Sequence, residues 1–110
     1  MAWSPEETRN GFRVAAESAR RYADEVARRA DKNHYDRELQ DAYLAKFVVY
    51  DYFSDPSFLQ SREALLSELR RVLERGPDVF PAEVYDRAVF ARYWRGNIQS
   101  LIEKYSPRSA

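Results

Sequence analysis

The sequence contains no cysteine, one histidine, one methionine and three glycines among its 110 residues. Without cysteine there can be no disulfide and no thiolate-ligated metal, and the absence fits a reducing compartment, so a cytoplasmic location is the expectation. The glycines (Gly11, Gly76 and Gly96) fall in three separate segments, so no glycine-rich phosphate-cradling loop can form. An excess of one charge sign is missing too: eighteen basic residues meet eighteen acidic ones. Duplex-binding domains usually concentrate positive charge, so nucleic acid is a disfavoured partner. No apolar run approaches membrane-spanning length, and no basic segment followed by an apolar one opens the chain. Membrane association and a cleaved leader are therefore not expected.

What is present describes a foldable chain. Apolar residues make up 45% and charged residues 33%, which separates the chain from disordered sequences. Its length suits one domain. Aromatics reach 15%, with eight tyrosines, six phenylalanines and two tryptophans. Tyrosine and tryptophan bury large areas but need a partner for their polar end, which favours interfaces and boundaries. The basic residues are fifteen arginines and three lysines. Arginine makes better planar and stacked contacts than lysine, although genomic base composition produces the same bias.

The most apolar stretch is Ala42–Phe53, interrupted only by Lys46 and Asp51. A helix apolar nearly all round is buried, or is covered by a partner on its second side. Before it, Ser4, Pro5 and Glu7 form a helix start with a capping box, and Phe12, Ala15, Ala16, Ala19, Tyr22, Ala23, Val26 and Ala30 recur at helical spacing. The alternating charges around that stripe read as a solvated face. Asp31-Lys32-Asn33-His34 breaks the pattern, and a second helix is expected over 35–53. One stripe of it, Leu39-Tyr43-Phe47-Tyr50, is assigned to the domain's own core. The adjacent stripe, Ala42-Ala45-Val49-Tyr52, awaits either the remaining helix or a partner chain. The β-branched and aromatic residues of 47–53 also suit a strand, but nothing is available to pair with one, and a lone strand leaves its backbone unsatisfied.

Pro56 opens a loop in which Phe58 and Leu59 fold back as a plug or short turn. Ser61 then caps a third helix over 62–75, with Leu65, Leu66, Leu69, Val72 and Leu73 as its stripe. Arg75-Gly76-Pro77 ends it. A last helix is expected over 81–105, with Pro81 in its first turn and Val84, Ala88, Ala91, Trp94, Ile98, Leu101, Ile102 and Tyr105 inward. Gly96-Asn97 is the place for a kink or split, and 106–110 should fray. The expected architecture is an all-α, single-domain bundle of four antiparallel helices, or five if the last divides. The first and last helices would each be about 36–40 Å long at 1.5 Å per residue, longer than the third can cover. That mismatch argues for a homodimer or a partner protein.

Sites of chemistry are sparse. Arg29-Ala-Asp-Lys-Asn-His34 resembles the arginine, four residues, histidine spacing of HEPN-type ribonucleases. The resemblance covers two residues and would put Arg29 and His34 on a scissile phosphate. No Glu-x-x-His motif is present for a carboxylate-bridged di-metal site, so no metal and no cofactor is expected. The run from Arg87 to Gln99 combines arginine, aromatics and amides, residue types that read base edges and that also populate interface hot spots. The preferred expectation is a small non-enzymatic helical interaction module, regulatory, adaptor or accessory, that self-associates or binds a protein. Its anchors would be Tyr50, Tyr52, Phe53 and Phe58 at one end of the second helix, and Tyr93, Trp94 and Arg95 on the last. The alternatives are a nucleic-acid-binding regulator using the last helix and the ribonuclease using Arg29 and His34.

Overall fold

The computed structural model describes residues 2–29, 37–81 and 86–107. The fold is an all-α single-domain bundle, with five helices and no strand among the described residues. They are α1 (Pro5–Arg28), α2 (Arg37–Phe53), α3 (Arg62–Arg75), α4 (Arg87–Phe90) and α5 (Trp94–Tyr105). The expected turn at 31–34 and the first residues of the expected second helix lie outside the described residues.

Local chemistry sets most boundaries. Ser4 Oγ accepts from the Glu7 N–H at 3.2 Å, with Pro5 beginning α1. Ser61 does the same for α3, accepting from the Ala64 N–H at 3.0 Å. Gly76 ends α3 at a φ of 98°, a left-handed conformation that glycine adopts without a Cβ penalty. Two 3₁₀ turns, Pro56–Phe58 and Pro77–Val79, drop Leu59 and Phe80 into the core.

The expected single helix over 81–105 is corrected. Pro81 is not helical, and α4 begins at Arg87, capped by the Asp86 carboxylate, which accepts from the Ala88 and Val89 N–H groups. The break falls at 91–93 and not at Gly96-Asn97. There the Arg92 N–H bonds to the Val89 carbonyl and the Tyr93 N–H to the Phe90 carbonyl, each at 3.0 Å. Such three-residue bonds turn the chain by about 120° per residue, against about 100° in an α-helix. The phase shift buries Phe90 and leaves Ala88 and Ala91 exposed, reversing their expected roles. The Asn97 side chain bridges the break by donating to the Tyr93 carbonyl at 3.1 Å. Gly96 and Asn97 therefore lie inside α5.

α1 and α2 form an antiparallel hairpin, while α3 packs on α5 and α2 links the two pairs. The molecule measures 48 × 29 × 27 Å. The core gathers Val48, Val49 and Phe53 of α2, Leu65, Leu69 and Val72 of α3, and Trp94, Ile98 and Leu101 of α5. Toward its far end the hairpin is held by small side chains: Ala16, Ala19 and Ala23 of α1 are buried, as is Ala45 of α2. Small residues let two backbones approach closely but bury little apolar area each.

The two stripes of α2 divide in a way that alters the length argument. The second stripe is taken by the chain itself: Ala45 and Val49 are fully buried, and Tyr52 packs on Phe80. The first stripe lies along α1 but is only partly covered, with Tyr43 against Tyr22, Phe47 beneath Arg20 and Tyr50 against Phe12. Because α5 has 12 residues, about 18 Å, the length mismatch remains for α1 alone.

Candidate interaction surface

Three surfaces compete for a functional role. The first is the aromatic end of α2. Tyr52 stacks on Phe58 at 5.1 Å between ring centroids and meets Phe53 edge-on at 4.9 Å. Its hydroxyl donates to Glu68 Oε2 at 2.6 Å and accepts from Arg71 Nη2 at 3.3 Å. Arg71 grips both Glu68 oxygens, each at 2.7 Å, in the bidentate geometry that a guanidinium favours. Burial, then the bond to Glu68, pushes the Tyr52 hydroxyl up to about 12. The Arg71 bonds hold the Glu68 carboxyl below its usual range. Tyr50 is raised by burial alone.

These features make the α2 end an internal joint between α2 and α3. Phe53 has no exposed surface, so its expected role as an interface anchor is corrected: it is core, locked by Phe12, Tyr52 and Phe58. Tyr50, Tyr52 and Phe58 are half-buried.

The second surface is the Tyr93-Trp94-Arg95 run. Trp94 is 3% exposed and belongs to the core cluster with Phe90 and Ile98, in keeping with its place on the inward stripe. Its expected anchor role is likewise corrected. Tyr93 is half-buried, and the Arg95 guanidinium lies 4.9 Å from the Trp94 ring, closing that ring's outer side. Arg87 is paired with Asp78. Arg87 and Arg95 thus have separate partners, on a chain segment that is not one helix.

The third surface is the flank of the hairpin. Among the described residues the exposed large apolar side chains are Val14 at 54%, Tyr22 at 50% and Leu39 at 42%, and all three lie on α1 and α2. Tyr22 is braced by Tyr43 with ring centroids 5.4 Å apart, and Leu39 sits one turn before Tyr43. Leu39 thus lies close to Tyr22, while Val14 precedes Tyr22 by eight residues, about 12 Å along α1. Sequence patterning missed this surface in two ways. Tyr22 and Leu39 stood on inward stripes, and Val14 belonged to no stripe, although a β-branched apolar residue on a charged helix face was the available signal.

Two apolar clefts flank the body. One, of about 220 Å³, lies between Pro77, Phe80, Arg87 and Phe90. The other, of about 150 Å³, lies between Arg20, Phe47, Val48 and Tyr52. Both fall short of the roughly 300–1,000 Å³ of ordinary small-molecule sites. Both border Pro81, beyond which residues 82–85 lie outside the described set.

No group of three or more histidine, aspartate or glutamate side chains that could hold a metal occurs among the described residues. No described helix is long and apolar enough to cross a membrane. Of the ribonuclease-like pair, Arg29 is exposed beside the end of α1 and paired with Glu25 at 3.1 Å, while His34 lies outside the described residues. Comparison with protein-family models, curated proteins and solved structures returns no match.

Proposed function

We propose that this chain is a small non-enzymatic helical interaction module that self-associates through the flank of its α1–α2 hairpin, in a regulatory, adaptor or accessory role. The observation that carries this reading is that the exposed large apolar side chains among the described residues, Val14, Tyr22 and Leu39, all belong to that hairpin. Single exposed apolar residues are ordinary on any protein surface. Their confinement to one helical hairpin, with the rest of the described surface free of such residues, is the pattern expected of an interaction site. The anchors of the reading therefore move from Tyr50, Tyr52, Phe58, Tyr93 and Arg95 to Val14, Tyr22 and Leu39.

Sedimentation velocity over a concentration series tests the reading. The expected result is a species of twice the chain mass that grows with concentration and is weakened by Tyr22→Ala. A monomer at every concentration defeats it. Retention on labelled duplex that disappears with salt favours the nucleic-acid alternative instead.

A further inference from the structure

The outer face of α1 carries a pattern with its own symmetry. Glu7, Val14, Ser18, Tyr22 and Arg29 are spaced seven, four, four and seven residues apart. At about 100° per residue all five fall within roughly 40° of one line along the helix. That line lies roughly 130° around the helix from the buried Phe12-Ala16-Ala19-Ala23 line, and each of the five is exposed or half-buried. Ser18 is the centre of the set, with an exposed apolar residue one turn to either side and opposite charges at the two ends.

Resting on the reading of self-association above, we infer that the partner is a second copy of this chain, its α1 packed antiparallel on the first about a two-fold axis at Ser18. In an isologous pair residue i meets j where j meets i. With the axis at Ser18, Val14 of each copy meets Tyr22 of the other, and Glu7 meets Arg29 twice. The alternative parallel alignment sets Glu7 on Glu7 and Arg29 on Arg29, which like-charge repulsion opposes. Charge complementarity therefore selects both the occupant and its direction. The small Ser18 side chain allows close approach at the crossing, and Gly11, which has open space around it, receives Glu25 of the other copy. The exposed Tyr22 ring meets a partner already oriented, because Tyr43 fixes it from behind.

The absence of cysteine makes the register directly testable. Helix axes at 8–10 Å, less two Cα radii of 2.3 Å, leave roughly 3–5 Å between facing Cα atoms, within reach of a disulfide. Ser18→Cys is expected to form a disulfide-linked dimer under mild oxidation faster than Ser67→Cys, which sits on an exposed position of α3. Glu7→Arg and Arg29→Glu are each expected to weaken association about five- to thirtyfold, because the two-fold axis counts each lost pair twice. The double variant should recover most of that loss. The concentration series should reach about 1 mM, since one helix pair buries less than the roughly 1,200 Å² of a stable interface. A wild-type chain that is monomeric throughout overturns both the self-association reading and this register. A chain that associates, with Ser18→Cys no faster than Ser67→Cys and no recovery in the double variant, overturns the register alone and leaves association through another face.

Discussion

Trp94→Ala is expected to remove much of the domain's stability, and to affect association only through unfolding. Trp94 is 3% exposed and forms the first residue of α5, packed in the core with Phe90, Ile98 and Leu101. Emptying a buried tryptophan site costs about 3–5 kcal/mol, the lost transfer energy plus the cavity left behind. A domain of this size is stable by only about 5–15 kcal/mol. At roughly 4 °C per kcal/mol the midpoint of thermal unfolding should fall by about 12–20 °C. Arg95→Ala removes only the guanidinium over the indole, worth about 0.5–1 kcal/mol at an exposed site. Trp94→Phe keeps a ring in the site and should cost about 1 kcal/mol of lost apolar area. Chemical denaturation followed by far-ultraviolet circular dichroism measures all three, and sedimentation in the folded baseline measures association alongside. If Trp94→Ala unfolds within about 0.5 kcal/mol of the wild type while association collapses, Trp94 is a surface anchor and the break at 91–93 is wrongly placed.

The Tyr52–Glu68–Arg71 joint should be visible as pH dependence. The folded state keeps the Tyr52 proton to about pH 12, whereas an ordinary tyrosine loses it near 10, so its contribution is complete below pH 10 and declines between 10 and 12. Tyr52→Phe should lessen that alkaline loss, with Tyr50 and Tyr105, both raised by burial, retaining part of it. Glu68 is shifted the other way, so its contribution is present above the usual carboxylate range and lost as pH falls; Glu68→Gln should flatten the acid limb. Unfolding midpoints across pH 3–12 that are parallel in wild type and variants would remove the joint. Trp3 donates its indole N–H to the Leu59 carbonyl at 2.8 Å and meets Tyr105 edge-on at 6.0 Å. Trp3→Ala should cost about 2–3 kcal/mol, from an orphaned carbonyl and a lost aromatic pair, against about 1 kcal/mol for Trp3→Phe, which orphans the same carbonyl but keeps a ring against Tyr105; equal losses in thermal melts would show that the aromatic pair contributes nothing. Gly76→Ala should cost about 1–2 kcal/mol from its left-handed φ alone, because no atom lies near the added methyl group. A neutral result in the same melts would contradict that backbone geometry.

The parts of the fold that could be read in advance are those written in short range. Ser4, Ser61 and Gly76 act on groups within four residues, so the ends of α1 and α3 follow from local hydrogen bonding. The stripe of α3 was legible because Leu65, Leu66, Leu69 and Val72 are large and evenly spaced. The break before α5 was not, because nothing in Ala91-Arg92-Tyr93 disfavours a helix locally. The turn there is chosen by the simultaneous burial of Phe90 and Trp94, a tertiary demand that overrides propensity. Gly96-Asn97 looked weaker on composition, yet the Asn97 side chain ties into the start of α5 by donating to the Tyr93 carbonyl. The interface candidates failed for a related reason. Aromatic richness marks both cores and interfaces, and only the packing of Phe53 and Trp94 separates the two.

The hairpin itself gives a physical reason for its flank to seek cover. Its far half is held mainly by Ala16, Ala19, Ala23 and Ala45, whose methyl groups each bury little area, with Val26 the larger buried side chain there, while α3 and α5 bury leucine, isoleucine and tryptophan. A two-helix projection with such a seam has a small stability of its own. Larger alanine replacements would strengthen the seam only by separating the helices, which would break the Tyr22–Tyr43 contact. Covering the outer side from another chain adds apolar burial without disturbing the seam. Any such partner binds the folded hairpin and not the unfolded one, so association and hairpin order rise together by mass action. The exposed Val14 and Tyr22 and the small inner alanines are then two parts of one arrangement: close packing inside, at low gain, leaves the larger gain to the surface outside.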